Sequence, residues 1–164
     1  MLRIGFGFET HKLEENQVFC LGGILIPHIK GATGHSDADV LIHAICDALF
    51  GAAGFRDIGH QFPDSSPELR GIDSKILLRR TCDLVQGKSF SIVNIDSTVV
   101  LQSPKISDYI PGMITQLSEV MGINEEQVSV KAKTSEKLGF IGREEGVSAY
   151  AVCLLQKRAF NTNL

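Results

Sequence analysis

Apolar and polar positions along the chain change spacing several times, and each change marks an element. Residues 2–8 form an apolar run broken by Gly5 and Gly7 and read as a strand. Residues 18–26, VFCLGGILI, read as two short β pieces meeting at Gly22-Gly23. From His35 the spacing becomes helical. HSDAD offers Ser36 or Asp37 as a cap with acids in the first turn, and Val40, Ile42, Ala44, Ile45, Ala48 and Leu49 supply an apolar set up to Gly51. Residues 54–71 hold Gly, Pro, Asp and Ser in turn-making combinations and read as a long loop, a kind of segment that usually carries function. Asp73-Ser74 opens a second helix reaching about Val85. Residues 90–101 are a long strand candidate. Residues 107–121 form a third helix entered through Ser107-Asp108, with Pro111 in or near its first turn. Then come a strand at 128–134, a Gly-rich loop at 136–146, a final strand at 147–157 that is apolar on both faces, and a short disordered tail over about 159–164.

That order predicts an α+β fold: a mixed four-stranded sheet with helices packed on one face, plus a small β-hairpin. Neither an internal repeat nor a low-complexity linker is visible, and 164 residues suit one domain spanning 1–164. The chain is 43% hydrophobic and 21% charged with a formal net charge of -3, which argues against a nucleic-acid binder. An anionic small ligand stays compatible, because local cations and a metal can outweigh the global sign. The sequence has no apolar run of membrane-spanning length and no secretory leader pattern, so the expected location is cytoplasmic, without a membrane partner. Cys20, Cys46, Cys82 and Cys153 are scattered among apolar neighbours without a CxxC pair, which fits free buried thiols. A bound metal would then take His and carboxylate ligands.

Candidate chemistry gathers in two regions. In an extended FETH segment, Glu9 and His11 point to one face, as two ligands of a metal must. Asp39, His43 and Asp47 lie four apart on one helix face, so either carboxylate could orient the His43 ring. Together Glu9, His11 and His43 make a two-His, one-carboxylate set, and zinc accepts such ligands while keeping a fourth position open. His35 and Ser36, before the helix, suit a phosphate. In the second region, residues 131–143, three lysines, two hydroxyls, Glu136, two glycines and Arg143 follow a strand, where backbone amides and cations can hold phosphate and Glu136 a magnesium ion. The stretch from Gln102 to Ile106 has the same character more weakly. Taken singly, Glu9 and His11 read more simply as a polar strand end and the helix stripe as a surface with Asp–His pairs, and the basic loop reads equally well as a solvated charged turn.

Five ordered blocks cover essentially the whole chain: IGFGFETH, GHSDADVLIHAICDALFGAAG, RDIGHQFPDSSPELRGIDS, LQSPKI and VKAKTSEKLGFIGREEGV. They resemble the 2-C-methyl-D-erythritol 2,4-cyclodiphosphate synthase family of the non-mevalonate isoprenoid pathway. The resemblance implies a lyase that cyclises 4-diphosphocytidyl-2-C-methyl-D-erythritol 2-phosphate and releases CMP. It implies a ferredoxin-like arrangement assembled as a homotrimer with active sites between subunits. By that resemblance, Glu9, His11 and His43 bind one zinc (or another divalent transition metal) per subunit, and Glu136 binds magnesium or manganese on the substrate diphosphate. His35 and Thr134 match transition-state stabilisers, and Ser36 holds a reacting phosphate beside them. Asp57, Ile58 and Gly59, with Phe62, Asp64, Ser65 and Ser66, match the loop over the methylerythritol moiety. Leu101, Gln102, Ser103, Pro104, Lys105 and Ile106, with Lys133 and Ser135, fall where the family holds cytidine diphosphate. Phe140 and Arg143 match residues near the trimer channel and the substrate phosphates.

The chain departs from the family pattern at four positions. Glu9 replaces the usual Asp, Ser66 a common acid, Ala38 a Gly, and Lys133 a hydroxyl residue. None removes a ligand type that the reaction requires. Two rival readings use the same residues: a zinc phosphohydrolase with water as nucleophile, and a non-catalytic trimer that binds nucleotides or isoprenoid diphosphates.

Overall fold

The first strand, β1, runs over Leu2–Glu15, well past the predicted residue 8, so the FETH segment is extended as its spacing required. The computed structural model describes residues 1–63 and 65–158; the tail expected over 159–164 lies outside them. Positions alternate along β1: Gly5, Gly7 and Leu13 are buried, whereas Ile4, Phe6 and Phe8 are exposed. The buried glycines have a definite use. A Cβ on Gly5 would stand 1.9 Å from the Ala48 carbonyl oxygen, and one on Gly7 would stand 2.0 Å from that of Ala44. Helix α1 (Val40–Ala53) therefore lies directly on the strand backbone, closer than any side chain would allow.

Helix α1 is the centre of the core. Leu41, Ile42, Ile45, Leu49 and Phe50 are fully buried, each contributing roughly 1.5–3 kcal/mol relative to exposure. The helix begins later than predicted. Asp39, rather than Ser36 or Asp37, is the N-cap, accepting from the amides of Leu41 and Ile42, and the first turn holds no acid. Ala38, just before it, has φ 58°, a left-handed conformation that suits the Gly usual in the family and costs an L-residue about 1–2 kcal/mol. At the other end, Gly54 in the left-handed region closes the helix.

The remaining elements are β2 (Cys20–Leu21) and β3 (Ile24–Leu25), the predicted hairpin, and β4 (Lys30–Thr33). Residues 54–71 contain a short helix, α2 (Ile58–Gln61), and a 3-10 turn at Pro67–Leu69. Helix α3 (Ser74–Gly87) is capped by Asp73, as expected. Then follow β5 (Phe90–Val100), α4 (Ile110–Met121) after a 3-10 turn with Pro111 in its first turn, and β6 (Val128–Lys133). The Gly-rich loop folds one turn of helix, α5 (Gly139–Gly142), before β7 (Gly146–Lys157).

The sheet has five strands rather than four, in the order β4-β1-β7-β5-β6. The added strand, β4, pairs antiparallel with the far end of β1, Lys12 opposite Thr33. KGAT carries no alternating apolar pattern, so the extra strand comes from pairing with the overlong β1. Neighbouring pairs are antiparallel except β5 with β6. Helices α1, α3 and α4 cover one face, and β1 and β7 present apolar side chains on the other.

Candidate active site

Because α1 rests on Gly5 and Gly7, His43 meets the side chains two and four residues further along β1. One ligand atom from each of Glu9, His11 and His43 lies within 4.8 Å of the others. His11 Nε2 and His43 Nδ1 are 3.1 Å apart. Two nitrogens bound to one tetrahedral zinc at 2.0–2.1 Å would stand about 3.3 Å apart, so the observed spacing fits shared ligation. Glu9 Oε1 accepts from the Thr10 amide at 3.0 Å, which fixes its carboxylate. Thiolates take no part: all four cysteines are free, and burial pushes the thiols up, Cys82 to about 12 and Cys153 to about 11. The donor set is thus nitrogen and oxygen, as the sequence required.

The groups around His43 differ from those expected. Its Nε2 stands 3.0 Å from Ser36 Oγ and 3.0 Å from Ser74 Oγ. Asp39 and Asp47, read from their spacing as possible holders of that ring, direct their carboxylates to backbone amides instead. Asp39 accepts from Gly22, Gly23, Leu41 and Ile42, tying the β2–β3 hairpin to α1. Burial holds its carboxyl above the usual range, and the amide bonds only partly offset this. Asp47 accepts from the Ile58 amide at 3.1 Å and ties α2 to α1. Equal spacing on a helix put the three residues on one side but could not say which partner each would meet. Ser74 gave no functional signal in the sequence beyond its place at a helix start, although it is fully buried.

The trio lines a cavity of about 410 Å³ with His35, Ser36, Ile58, Gly59, Phe62, Leu69, Ile72 and Leu77 among its walls. The segment 54–73 therefore forms one side of the metal-capable site. Its exit is clipped to the segment before α1: the Gly71 amide donates to His35 O at 2.8 Å and the Asp37 amide to Ile72 O at 3.0 Å. His35 Nε2 lies 3.4 Å from Ser66 O. Asp57 caps α2 by accepting from the His60 amide and does not line the cavity; Ser65 is exposed. Asp64 lies outside the described residues.

A second cavity of about 220 Å³ is lined by Leu101, Gln102, Pro104, Lys105, Ile106, Lys133 and Thr134. No described residue lines both cavities. Strand register explains the separation. Thr10 pairs with Ser148, Ser148 with Val100, and Val100 with Lys133, so both cavities sit at one end of the sheet but three strand spacings apart. At about 4.8 Å per spacing, that is roughly 14 Å. Beside the second cavity, Thr134 Oγ1 donates to Glu136 Oε1 at 2.7 Å, and Ser135 Oγ donates to Leu138 O. Glu136 is exposed, with φ 52°. The Gln102 side chain accepts from the Lys137 amide, joining the two segments of that cavity. Phe140 is partly exposed, and Arg143 pairs with Glu145 through two contacts of 3.0 Å.

The fold and site define a one-sided α+β layer carrying a His-His-carboxylate set, able to hold a metal ion, in an open cavity. Residues 2–156 match the YgbB family, and the chain belongs to it. The 2-C-methyl-D-erythritol 2,4-cyclodiphosphate synthase of Bacteroides fragilis strain YCH46 is 55% identical over 156 residues, 95% of this chain and 98% of that protein. The synthase of the same name from Porphyromonas gingivalis strain W83 is 56% identical over 153 residues, 93% of this chain and 94% of that one. Among solved structures, the IspF–CDP complex of Plasmodium falciparum superposes with a TM-score of 0.84 at 38% identity, covering 96% of this chain and 97% of that one. The bifunctional IspDF of Campylobacter jejuni superposes with a TM-score of 0.93 at 38% identity; the match covers 96% of this chain and 43% of the longer protein. No helix among the described residues is long and apolar enough to cross a membrane.

Proposed function

We propose that the protein is a lyase that cyclises 4-diphosphocytidyl-2-C-methyl-D-erythritol 2-phosphate to the 2,4-cyclodiphosphate and releases CMP, supplying the non-mevalonate isoprenoid pathway. The observation that carries the reading is the convergence of Glu9, His11 and His43 at the wall of an open cavity in a chain of this family. An oxygen of the substrate's 2-phosphate attacks the β-phosphorus, the bond to the CMP oxygen breaks, and CMP leaves with the electron pair. The attacking group is already ionised, so neither a serine nor a cysteine nucleophile is needed.

In this reading Glu9, His11 and His43 hold zinc or another divalent transition metal, and Glu136 holds magnesium or manganese; when bound, such ions polarise phosphate oxygens and balance their charge. His35 and Thr134 orient the reacting phosphates and stabilise charge in the transition state. Ser36 assists at the same phosphate. Ile58, Gly59 and Phe62 shape the methylerythritol side, with Asp57, Asp64, Ser65 and Ser66 assigned to the same loop by family likeness. The second cavity takes the cytidine diphosphate, where Lys133 adds a cation, with Ser103 and Ser135 assigned to the same ligand by family likeness.

A homotrimer with shared sites belongs to the same reading. Two observations support it. The cavities assigned to the two halves of one substrate are separate within a single chain. In addition, Ile4, Phe6, Phe8, Tyr150 and Val152 form an exposed apolar stripe on β1 and β7, with Phe8 and Tyr150 rings 5.0 Å apart, of the kind that marks an interface. Phe140 and Arg143 would face the trimer channel. Free thiols suit a reducing compartment, which supports a cytoplasmic location.

Phosphorus NMR of the reaction mixture tests the proposal. A cyclic diphosphate formed with stoichiometric CMP is expected. Linear phosphates would favour the phosphohydrolase reading, and binding without turnover the nucleotide-binding trimer.

A further inference from the structure

Three side chains behind the His43 ring, those of Ser36, Ser74 and Asp37, constrain where its proton sits. Ser74 Oγ has one hydrogen, and it is directed to Asp37 Oδ1 in a short contact. Asp37 is oriented for that role: its Oδ1 also accepts from the Asp39 amide at 3.3 Å, and its Oδ2 from the Ser74 amide at 3.1 Å. Both carboxylate oxygens thus face donors. With its hydrogen committed to Asp37, Ser74 presents only lone pairs to His43 Nε2, 3.0 Å away. Ser36 Oγ stands 3.0 Å from the same nitrogen and 3.2 Å from Ser74 Oγ, and it accepts from the Ala38 amide at 3.2 Å. With Ser74's hydrogen on Asp37, the Ser36 hydroxyl is the donor to Ser74 Oγ. These contacts are all satisfied when Nε2 carries the ring's proton and donates to the two hydroxyl oxygens.

We infer that Asp37 and Ser74 are positioning residues that fix His43 as the Nε2–H tautomer and so keep Nδ1 as the ligating atom beside His11. The inference rests on the metal site in the reading above. It extends that site by two residues that lie on different elements, one before α1 and one in the first turn of α3. Because the Asp37 amide also holds Ile72 O, the pair links the exit of the cavity-lining loop to the orientation of a metal ligand.

The experiment has two readouts that do not depend on turnover. Long-range 1H–15N spectra of the metal-free wild-type protein, at a pH of about 8 where an ordinary imidazole is neutral, report the tautomer, and the His43→Ala spectrum assigns the signal. Zinc affinity is measured by competition with a chromophoric chelator. The expected results are an Nε2–H pattern for His43 and a zinc affinity lowered about 10–100-fold in both Ser74→Ala and Asp37→Asn. An Nδ1–H pattern in the wild type would overturn the inference, as would wild-type affinity in Asp37→Asn. If Ser74→Ala does not fold, the wild-type tautomer and Asp37→Asn still decide. Undiminished zinc binding by His43→Ala would sink the metal reading itself, a result distinguishable from failure of the pairing alone.

Discussion

Gly7 lies beneath Ala44 so closely that a Cβ on the glycine would stand 2.0 Å from the Ala44 carbonyl oxygen. That contact is backbone against backbone, and no rotamer change can relieve it. Gly7→Ala must therefore lift α1 from β1, separating His43 from Glu9 and His11. The expected cost is about 3 kcal/mol or more. Denaturant unfolding should show it, and the surviving folded fraction should bind zinc poorly. A variant with wild-type stability and zinc content would show that the close approach is not needed.

Removal of His43 tests the metal set more directly. His43→Ala is expected to lose zinc and turnover while remaining folded and keeping the assembly of the wild type. Metal analysis of the purified variant and its sedimentation behaviour check both halves. Likewise, chelation of the wild type should lower its melting temperature, since a ligand present at 100 times its Kd stabilises by about 2.7 kcal/mol.

Asp39 anchors two elements at once, and Asp39→Asn sets an amide NH2 against backbone donors. A loss of about 1–3 kcal/mol is expected in equilibrium unfolding. The pH dependence has a definite sign. Burial raises the folded-state pKa above the unfolded value, so protons favour the native state. Stability of the wild type relative to Asp39→Asn should be greatest in acid and decline as pH rises past the ordinary aspartate value of about 3.9. A difference that grows with pH would contradict this account.

Glu136 accepts a hydrogen bond from the Thr134 hydroxyl and is the magnesium ligand of the proposed function. Glu136→Ala should raise the magnesium concentration needed for half-maximal turnover about tenfold or more, with zinc content unchanged. Titrations of magnesium against initial rate would show this. An unaltered requirement removes Glu136 from that role.

The apolar stripe offers a test of assembly. Phe6→Glu places a charge on the exposed face of β1, away from α1 and the metal set. On the proposed assembly, sedimentation should find monomer in place of trimer, with turnover lost because the two cavities would no longer meet across subunits. Retention of one zinc per chain would separate this effect from damage to the site.

The order of the main helices and long strands, α3 and its Asp73 cap, the hairpin at Gly22-Gly23 and the glycine-broken start of β1 were all legible in the sequence, because each depends on local spacing and turn chemistry. So was the donor chemistry of the candidate site: Glu9 and His11 share one face of a strand, and scattered cysteines leave nitrogen and oxygen as donors. The tertiary structure decided what spacing cannot. It added β4, which has no pattern of its own and exists because β1 continues past His11. It turned Asp39 and Asp47 toward backbone amides and set Ser36 and Ser74 behind His43. Periodicity specifies which face a residue occupies, whereas a hydrogen-bond partner depends on which distant segment packs against that face, and here the bare backbone of Gly5 and Gly7 set how closely α1 could pack.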